Sequence, residues 1–468
     1  MLKYMLCTLL VLLLPCSMAF ADISAGNLTV AGYLKNETSL RIESLNGDLT
    51  KFKNILELSG EYDIKDDQLV FFTKAKYWYD AAYGFRDKLD IAGHYEEHIQ
   101  RTDWLRDCYL DYTNGPWFLR LGKQQVAWGQ ADGITILDRV NPVDLREFWL
   151  PDFVDIRIPL WMANINYSPK LNSSLQLLFV PDFQQSEAAY LGAPFVFRSW
   201  TEFNNFQKTM EGIGRAFDIT LRPPPRQLHN STWGLQWSDR VGDLNYTLNF
   251  LYGPYYNARN NIYTSTINGV YTYTVPRAFK VWRVYGGSFN KSFTEPGPMQ
   301  GVTLRGDFAY YNDEPTYVGD PVAGSTKGIK RWDNKFWLIG ADKTVFTNWV
   351  ISAQFAQYIL EHSRDKAADR PVQQQYPMNA YTYGPLDPVD NIFTLKISTD
   401  FMNQRLKPEV LWSFTDDNQG KVSPKVTYEI KDNLWLTLGI HYFYGNPWDS
   451  NGQFRDESQF YTNLKYTF

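Results

Sequence analysis

Apolar and polar residues alternate through most of this chain, in runs separated by turn residues, and such alternation is typical of half-buried β-strands. The last run, SQFYTNLKYTF, shows it well. One face of that strand would carry Phe460, Thr462, Leu464, Tyr466 and Phe468. The chain ends on an aromatic residue with no polar tail, which favours a strand with one face in lipid over an edge strand of a soluble sandwich.

The alternation predicts eighteen strands, and a missed or merged hairpin would change that number to sixteen or twenty. The predicted strands are Leu28–Arg41, Ile55–Ile64, Gln68–Tyr83, Asp103–Thr113, Trp117–Ala127, Leu160–Ser168, Ser173–Val180, Thr232–Ser238, Leu244–Tyr252, Val281–Lys291, Val302–Tyr310, Lys335–Thr344, Trp349–Leu360, Asn391–Thr399, Lys407–Phe414, Lys421–Ile430, Leu434–Tyr444 and Ser458–Phe468. Strands of this length, paired through tight turns, indicate an all-β fold.

The predicted connections differ in length at the two ends of these strands. Every second connection is a short turn, and the long connections all fall between these turns, such as 84–102, 128–159, 182–231, 253–280, 312–334 and 361–390. Alternating short turns and long loops are the plan of a transmembrane antiparallel β-barrel with short periplasmic turns and long extracellular loops. We therefore expect a barrel of about 18 strands.

The N-terminus has the features of a secretory signal peptide. Lys3 supplies a positive charge, Met5–Leu14 is apolar, and Ala19–Ala21 is a cleavage motif of the A-x-A type. The sequence predicts a signal peptide over residues 1–21 and an outer-membrane β-barrel over residues 22–468.

The C-terminal pattern resembles the terminal signature of bacterial outer-membrane barrels, which the insertion machinery is thought to read. That resemblance implies a multi-pass protein in the outer membrane of a Gram-negative bacterium. The expected partners are the lipid bilayer, lipopolysaccharide, a small-molecule solute, and the insertion machinery through Phe468. The oligomeric state stays open, with a homo-oligomer among the options.

Composition narrows the class of function. Aromatic residues make up 16% of the chain, as the interfacial girdles of a barrel would require. A net charge of −5, with both signs mixed throughout, argues against a nucleic-acid partner. No cofactor is expected, since no C-x-x-C-H motif is present. His94 and His98 fit a zinc-peptidase spacing, but they lie in a predicted loop, and no Ser/His pair stands out, so we expect no enzyme.

The connection after the fifth predicted strand contains the highest density of candidate functional residues. Gly129–Pro159 mixes many charges with aromatic residues, so we predict a loop that folds into the lumen and sets selectivity there, rather than a packed external loop. Wall charges on the polar strand faces would join it. The candidate pore-lining residues are Arg120, Gln124, Arg139, Asp144, Arg146, Asp152, Asp155, Arg157, Arg305 and Asp307.

This region also carries a family resemblance. The motif runs from Leu121-Gly122-Lys123-Gln124 through Trp128-Gly129 to Asn141-Pro142 and Asp144. It resembles the LGxQ…WG…NPxD pattern of a large group of proteobacterial outer-membrane proteins of unknown function. The resemblance implies a porin-like barrel, often linked by genetic context to hydrophobic-compound transport, with a layout like that of alginate-export channels. It implies no catalytic residues.

The sequence therefore predicts a passive diffusion channel for small polar or amphipathic organic solutes. Apolar contacts for an amphipathic solute would come from Trp128, Phe148, Trp149 and Phe153. Three alternatives stay open: a structural conduit that houses a periplasmic partner such as a cytochrome, an adhesin or receptor barrel with binding loops, and a barrel enzyme with a nucleophile and base at its rim.

Overall fold

The described part of the chain forms a closed antiparallel barrel of eighteen strands, as predicted. In the computed structural model, the described residues are 23–42, 48–85, 100, 103–257, 259–260, 263–320, 325–361, 370–375, 382–385 and 388–468. The barrel strands are β1 (Leu28–Arg41), β2 (Leu49–Lys65), β3 (Leu69–Asp80), β4 (Leu105–Asn114), β5 (Trp117–Gln124), β6 (Leu160–Lys170), β7 (Ser173–Val180), β8 (Thr232–Val241), β9 (Leu244–Pro254), β10 (Val281–Ser292), β11 (Val302–Asp320), β12 (Ser325–Val345), β13 (Trp349–Leu360), β14 (Val389–Ser398), β15 (Leu406–Thr415), β16 (Gly420–Lys431), β17 (Leu434–Tyr444) and β18 (Gln459–Thr467). The predicted signal peptide and the histidines 94 and 98 lie outside the described residues.

The first and last strands close the barrel. β1 pairs antiparallel with β18, from Tyr33 opposite Thr467 to Arg41 opposite Gln459. The terminal Phe468 exchanges two backbone hydrogen bonds with Gly32, at 2.7 and 2.9 Å. Closure leaves no open edge in the wall, which is what a sheet surrounded by lipid requires.

The strand faces divide as the alternation predicted, with apolar side chains outside and polar side chains inside. On β5, Leu121 faces outward and is 45% exposed, whereas Gln124 faces the lumen and is 1% exposed. The lumen-facing amides bond one another across strands, for example Gln124 to Asn164 at 3.3 Å and Gln176 to Asn164 at 3.1 Å. The polar interior is therefore a hydrogen-bonded lining.

The two ends of the barrel differ. One end, the turn end, holds both chain termini of the barrel and eight short connections between described strands. Asp66 and Asp67, in the turn between β2 and β3, have positive φ, as tight hairpin turns require. The other end, the loop end, holds the long connections, and this difference in length was predicted.

Several predicted loops contain regular structure instead, and three of them are 182–231, 253–280 and 312–334. The described residues of 312–334 are mostly strand, because β11 and β12 stay paired as far as Asp320 and Ser325 after a bulge between Tyr311 and Glu314. Residues 182–231 contain the helix Arg198–Gly212 and the strand Ala216–Arg222, which pairs in parallel with Val270–Ala278. These elements form a small module at the loop end. Among the described residues, no helix has the length and the apolar character to cross a membrane.

Candidate functional site: the lumen and its inward segment

The connection between β5 and β6, residues 125–159, lies inside the barrel, and we call it the inward segment. Its apolar residues Val126, Trp128, Ile136, Leu137 and Val140 are buried against lumen-facing side chains of the wall. The wall residues in this cluster come from β6, β7, β9, β10, β11, β12 and β13, and they include Met162, Leu178, Leu251, Trp282, Tyr311, Phe336 and Ala356. Burial of so much apolar area holds the segment against one side of the barrel.

A buried carboxylate on β11 fixes the near end of the inward segment. Asp307 accepts the backbone N–H of Gln130 at 2.8 Å and that of Ala131 at 3.1 Å. Arg305, two residues along the same face, donates to the carbonyl of Gln130 at 2.8 Å. Gly129 has φ +97°, and a Cβ there would lie 2.6 Å from Asp307 Oδ2. The close approach therefore requires glycine in the Trp128-Gly129 pair.

The neighbouring contact uses an amide on β13. Gln354 accepts the backbone N–H of Asp132 at 2.9 Å and donates to the carbonyl of the same residue at 2.7 Å. The segment thus gains two main-chain bonds from one side chain. Together with the Asp307 contacts, these bonds satisfy consecutive backbone groups that the lumen would otherwise leave to water.

Asn141 ties the two ends of the inward segment together. Its Oδ1 accepts the N–H of Val126 at 2.9 Å, and its Nδ2 donates to the carbonyl of Ile158 at 2.9 Å. The side chain is 4% exposed. The sequence indicated only that Asn141-Pro142 interrupts regular structure, so this role was missed, because side-chain bonds to distant backbone groups leave no periodic signal.

A second set of contacts, mainly ion pairs, fixes the far part of the segment to the opposite wall. Glu147 contacts the ammonium groups of both Lys51 and Lys53, neighbouring lumen-facing positions on β2. Asp155 contacts Lys76 on β3. Arg106 on β4 adds hydrogen bonds to backbone carbonyls of residues 154, 155 and 157. The inward segment is therefore held on both sides of the lumen.

These contacts set the charge state of the segment. Burial by itself raises the pKa of Glu147, but Lys51 and Lys53 outweigh burial, so the pKa is lowered below its ordinary value. Burial likewise opposes Lys76 at Asp155, and the net pKa of Asp155 is lowered. Lowered pKa values mean that the ionised carboxylates stabilise the docked segment above their ordinary range, and that this stabilisation is lost as the pH falls through the lowered values.

We therefore expect the contacts of Glu147 and Asp155, and the channel properties that depend on them, to stay constant through the neutral range and to change only when the pH falls below the ordinary range of acidic side chains. The Glu147→Gln variant should already differ at pH 7, because it leaves Lys51 and Lys53 without their shared carboxylate and shifts ion selectivity toward anions. Reversal potentials in a salt gradient, recorded across pH, measure both effects.

The matched control for this prediction is Glu211→Gln, which removes a carboxylate from the exposed part of the helix at the loop end. It should behave as wild type at every pH. A Glu147→Gln channel with wild-type selectivity at pH 7 would contradict the role of Glu147 in holding the segment to Lys51 and Lys53.

A cavity of about 1370 Å³ remains between the inward segment and the wall formed by β13–β18, β1 and β2. Its lining includes Asn348 and Thr467 at the turn end, and Thr415 and Asn451 at the loop end. The cavity therefore extends along the barrel past the segment.

The predicted site residues have different positions relative to this cavity. Arg139, Asp152 and Asp155 line it. Asp144 pairs with Arg146 at 2.5 Å, Arg157 with Asp138 at 2.6 Å, and Arg120 with Asp111 at 2.7 Å. Gln124 bonds Asn164, while Arg305 and Asp307 anchor the segment. The structure thus brings three of the ten to the cavity, and a role in selectivity stays a prediction for all ten.

The sequence prediction missed most of the charges on the wall of the cavity. These are Lys35, Glu37, Lys51, Lys396, Lys407, Glu409, Lys421, Lys425 and Lys465. A signal was present, because alternation within KVSPKVTYEIK places Lys421, Ser423 and Lys425 on the same face of β16. Which of the two faces meets the cavity depends on the closed barrel.

Comparison with known proteins supplies the family. Residues 35–468 match the family described as a protein of unknown function (DUF1302). The chain belongs to this family. No curated protein matches the sequence.

Solved structures have a barrel fold similar to that of this chain. OccAB1 of Acinetobacter baumannii is 9% identical in sequence, with 95% of this chain and 97% of that chain covered and a TM-score of 0.53. OccAB4 of Acinetobacter baumannii is 10% identical, with 94% and 98% covered and a TM-score of 0.50. At such identities the likeness shows the fold alone, which is porin-like.

Proposed function

We propose that this protein is an outer-membrane channel for the passive diffusion of small polar or amphipathic organic solutes, and that it has no catalytic activity. One observation carries the proposal: a cavity of about 1370 Å³ passes the inward segment and has lining residues at both ends of the barrel. A barrel of eighteen strands is too wide for its wall side chains to fill, so the space left by the segment is expected to hold water.

The anchors support a constriction of fixed width. The inward segment is bonded to β11 and β13 on one side and to β2, β3 and β4 on the other. A segment held on two walls keeps its charged residues at constant distances from the facing wall. Passing solutes would then exchange part of their hydration for several weak contacts, which is how a passive channel selects without trapping its solute.

The distribution of charge supports ion selectivity at the part of the lumen that the inward segment crosses. On the segment side the cavity is lined by the acids Asp132, Glu147, Asp152 and Asp155 and by Arg139, whereas on the wall lysines, among them Lys421 and Lys425 of β16, outnumber the acids. Opposite charges across a narrow aqueous passage set a transverse field. We propose that Arg139, Asp152 and Asp155 take part in this field, and that Arg305 and Asp307 act on it by positioning the segment.

The expected membrane partners follow from the same proposal. The outer face carries apolar residues such as Leu121, Leu177, Ile339 and Leu438, each more than 40% exposed. Such a surface favours lipid, with lipopolysaccharide on the outer side. Phe468 completes the closing pair of strands through its bonds to Gly32, consistent with recognition of this strand by the insertion machinery.

A receptor role is the second candidate, and the module at the loop end favours it. The helix Arg198–Gly212 and the strands Ala216–Arg222 and Val270–Ala278 share an aromatic cluster that includes Phe206, Phe217 and Tyr273. A folded module at this end is a suitable binding surface. The inward segment weighs against the conduit alternative, because it occupies space that a periplasmic partner would need.

Single-channel recording of the purified, refolded protein in a planar bilayer tests the proposal. We expect steady ohmic steps, with a reversal potential that differs from zero in a salt gradient because charged residues line the passage. Refolding is checked first by the heat-modified migration of the barrel on a gel. A correctly folded protein that gives no steps in symmetric salt would overturn the channel and leave the receptor role.

A further inference from the structure

The wall of the cavity contains a cation with an incomplete set of partners, beside an aromatic surface. We propose that Lys421, together with Trp149 and Phe197, forms a binding site for organic monoanions that carry an apolar body, such as aryl-alkyl carboxylates. All three residues line the cavity. The proposal rests on the channel function for its access route, and it names the class of solute that this channel would take.

The hydrogen bonds of Lys421 leave donors available. Its ammonium donates to the backbone carbonyl of Trp149 at 3.0 Å, and among the described residues no carboxylate lies within ion-pair distance of it. An ammonium has three donors, so this contact uses only one. Lys425, four residues along the same strand face, differs because it pairs with Glu409 at 3.0 Å.

The surroundings of Lys421 favour an anion over water alone. The side chain is half-buried in the wall of β16, where partial desolvation strengthens its attraction to a carboxylate. On the neighbouring strands Ser413 is paired opposite Lys421, and His441 bonds Ser423 at 3.0 Å. These polar groups line the same cavity and can solvate the second oxygen of a bound carboxylate.

The aromatic surface is held in place by the inward segment. Trp149 lies next to Phe148, which is 7% exposed and packs on Phe197 and Phe454 with ring centroids 6.3 and 4.6 Å apart. Phe148 has φ +52°, a strained conformation for a residue with a side chain. The residue before it is Glu147, which is held by Lys51 and Lys53. The backbone here therefore places the carbonyl of Trp149 on Lys421, and Trp149 lines the cavity with its ring centroid 6.0 Å from that of Phe153.

The acids of the cavity favour one negative charge and oppose two. Glu147 and Asp155 are already paired with lysines of β2 and β3, so they do not neutralise Lys421. Asp152 lines the same cavity, and among the described residues it has no ion-pair partner. A second negative charge on the solute would enter a cavity that already contains the carboxylates of Asp132 and Asp152, whereas a monoanion can put its head group on Lys421 and its apolar body against Trp149 and Phe197.

Equilibrium binding of 4-phenylbutyrate to the purified protein, by titration calorimetry in a non-ionic detergent, tests the site whether or not the barrel conducts. We expect saturable binding to wild type and affinity lower by about tenfold in Lys421→Met, the effect of losing one charge-assisted hydrogen bond. Trp149→Ala should also bind more weakly. Two further probes separate the parts of the site: 4-phenylbutanol lacks the charge, and propionate lacks the ring, so both should bind more weakly than 4-phenylbutyrate.

Lys431→Met is the matched control, because Lys431 lies on β16 but is exposed near the turn end and does not line the cavity. It should bind 4-phenylbutyrate as wild type does. Equal binding by wild type and Lys421→Met, or equal affinity for 4-phenylbutyrate and 4-phenylbutanol, overturns the site. Binding that depends on Lys421 in a protein that does not conduct would support the site and contradict the channel; steady conductance without saturable binding would do the reverse.

Discussion

Replacing residues 125–159 with an Asn-Gly turn is expected to raise the single-channel conductance several-fold and to abolish most of the ion selectivity. The barrel permits this replacement, because Gln124 and Leu160, which flank the segment, are directly paired on β5 and β6. Their backbones are one strand spacing apart, about 5 Å, and a two-residue turn of this type joins such a pair. Removal of the segment opens the lumen to the full width that eighteen strands enclose.

The control for the turn variant replaces residues 128–157 with a glycine-serine segment of the same length. This segment keeps the mass in the lumen but loses the anchors at Asp307, Gln354 and Glu147. We expect noisy currents between those of wild type and the turn variant. Wild-type conductance in a correctly folded turn variant would show that the inward segment is not the constriction, and would place the constriction elsewhere in the lumen.

Asp307→Ala is expected to loosen the inward segment without removing it. The substitution leaves the N–H groups of Gln130 and Ala131 without their acceptor, and each such group costs about 1–3 kcal/mol when it stays buried. We expect a lower thermal midpoint, measured by heat-modified gel migration, and rapid fluctuations in the open-channel current. Arg305 keeps its pairing with Asp342 at 3.0 Å, so the wall itself should stay intact.

Asp307→Asn provides the graded comparison, because its amide retains one oxygen that can accept the N–H of Gln130. Its thermal midpoint should lie between those of wild type and Asp307→Ala. A quiet current and an unchanged midpoint in Asp307→Ala would show that apolar packing of Trp128 and Leu137 alone holds the segment.

The wall of the barrel was largely predictable from the sequence. Alternation located all eighteen strands, and it gave the observed bounds for Ser173–Val180, Trp349–Leu360 and Leu434–Tyr444. It succeeds because each strand has one face in lipid and one in the lumen, and because consecutive strands pair through short turns. Both properties depend on residues that are close in sequence.

The candidate site was much less predictable. Asp132 and Arg139 belong to one long connection, but their environment is created by strands more than a hundred residues away. Lys421 carries no local feature that separates it from other alternating lysines of the chain. The ammonium of Lys421 makes one hydrogen bond, to the carbonyl of Trp149. That contact depends on how the segment crosses the lumen.

Amino-acid order by itself determined the strand number, the inside and outside faces and the difference between the two ends, because lipid on one side and water on the other act on every strand separately. Only the tertiary structure decided the continued pairing of β11 and β12 past the bulge, the parallel pairing of Ala216–Arg222 with Val270–Ala278, and the anchors of the inward segment on opposite walls. The parallel pairing and the anchors depend on contacts between residues that are distant in sequence, whereas the longer hairpin depends on the pairing of its two strands past the bulge.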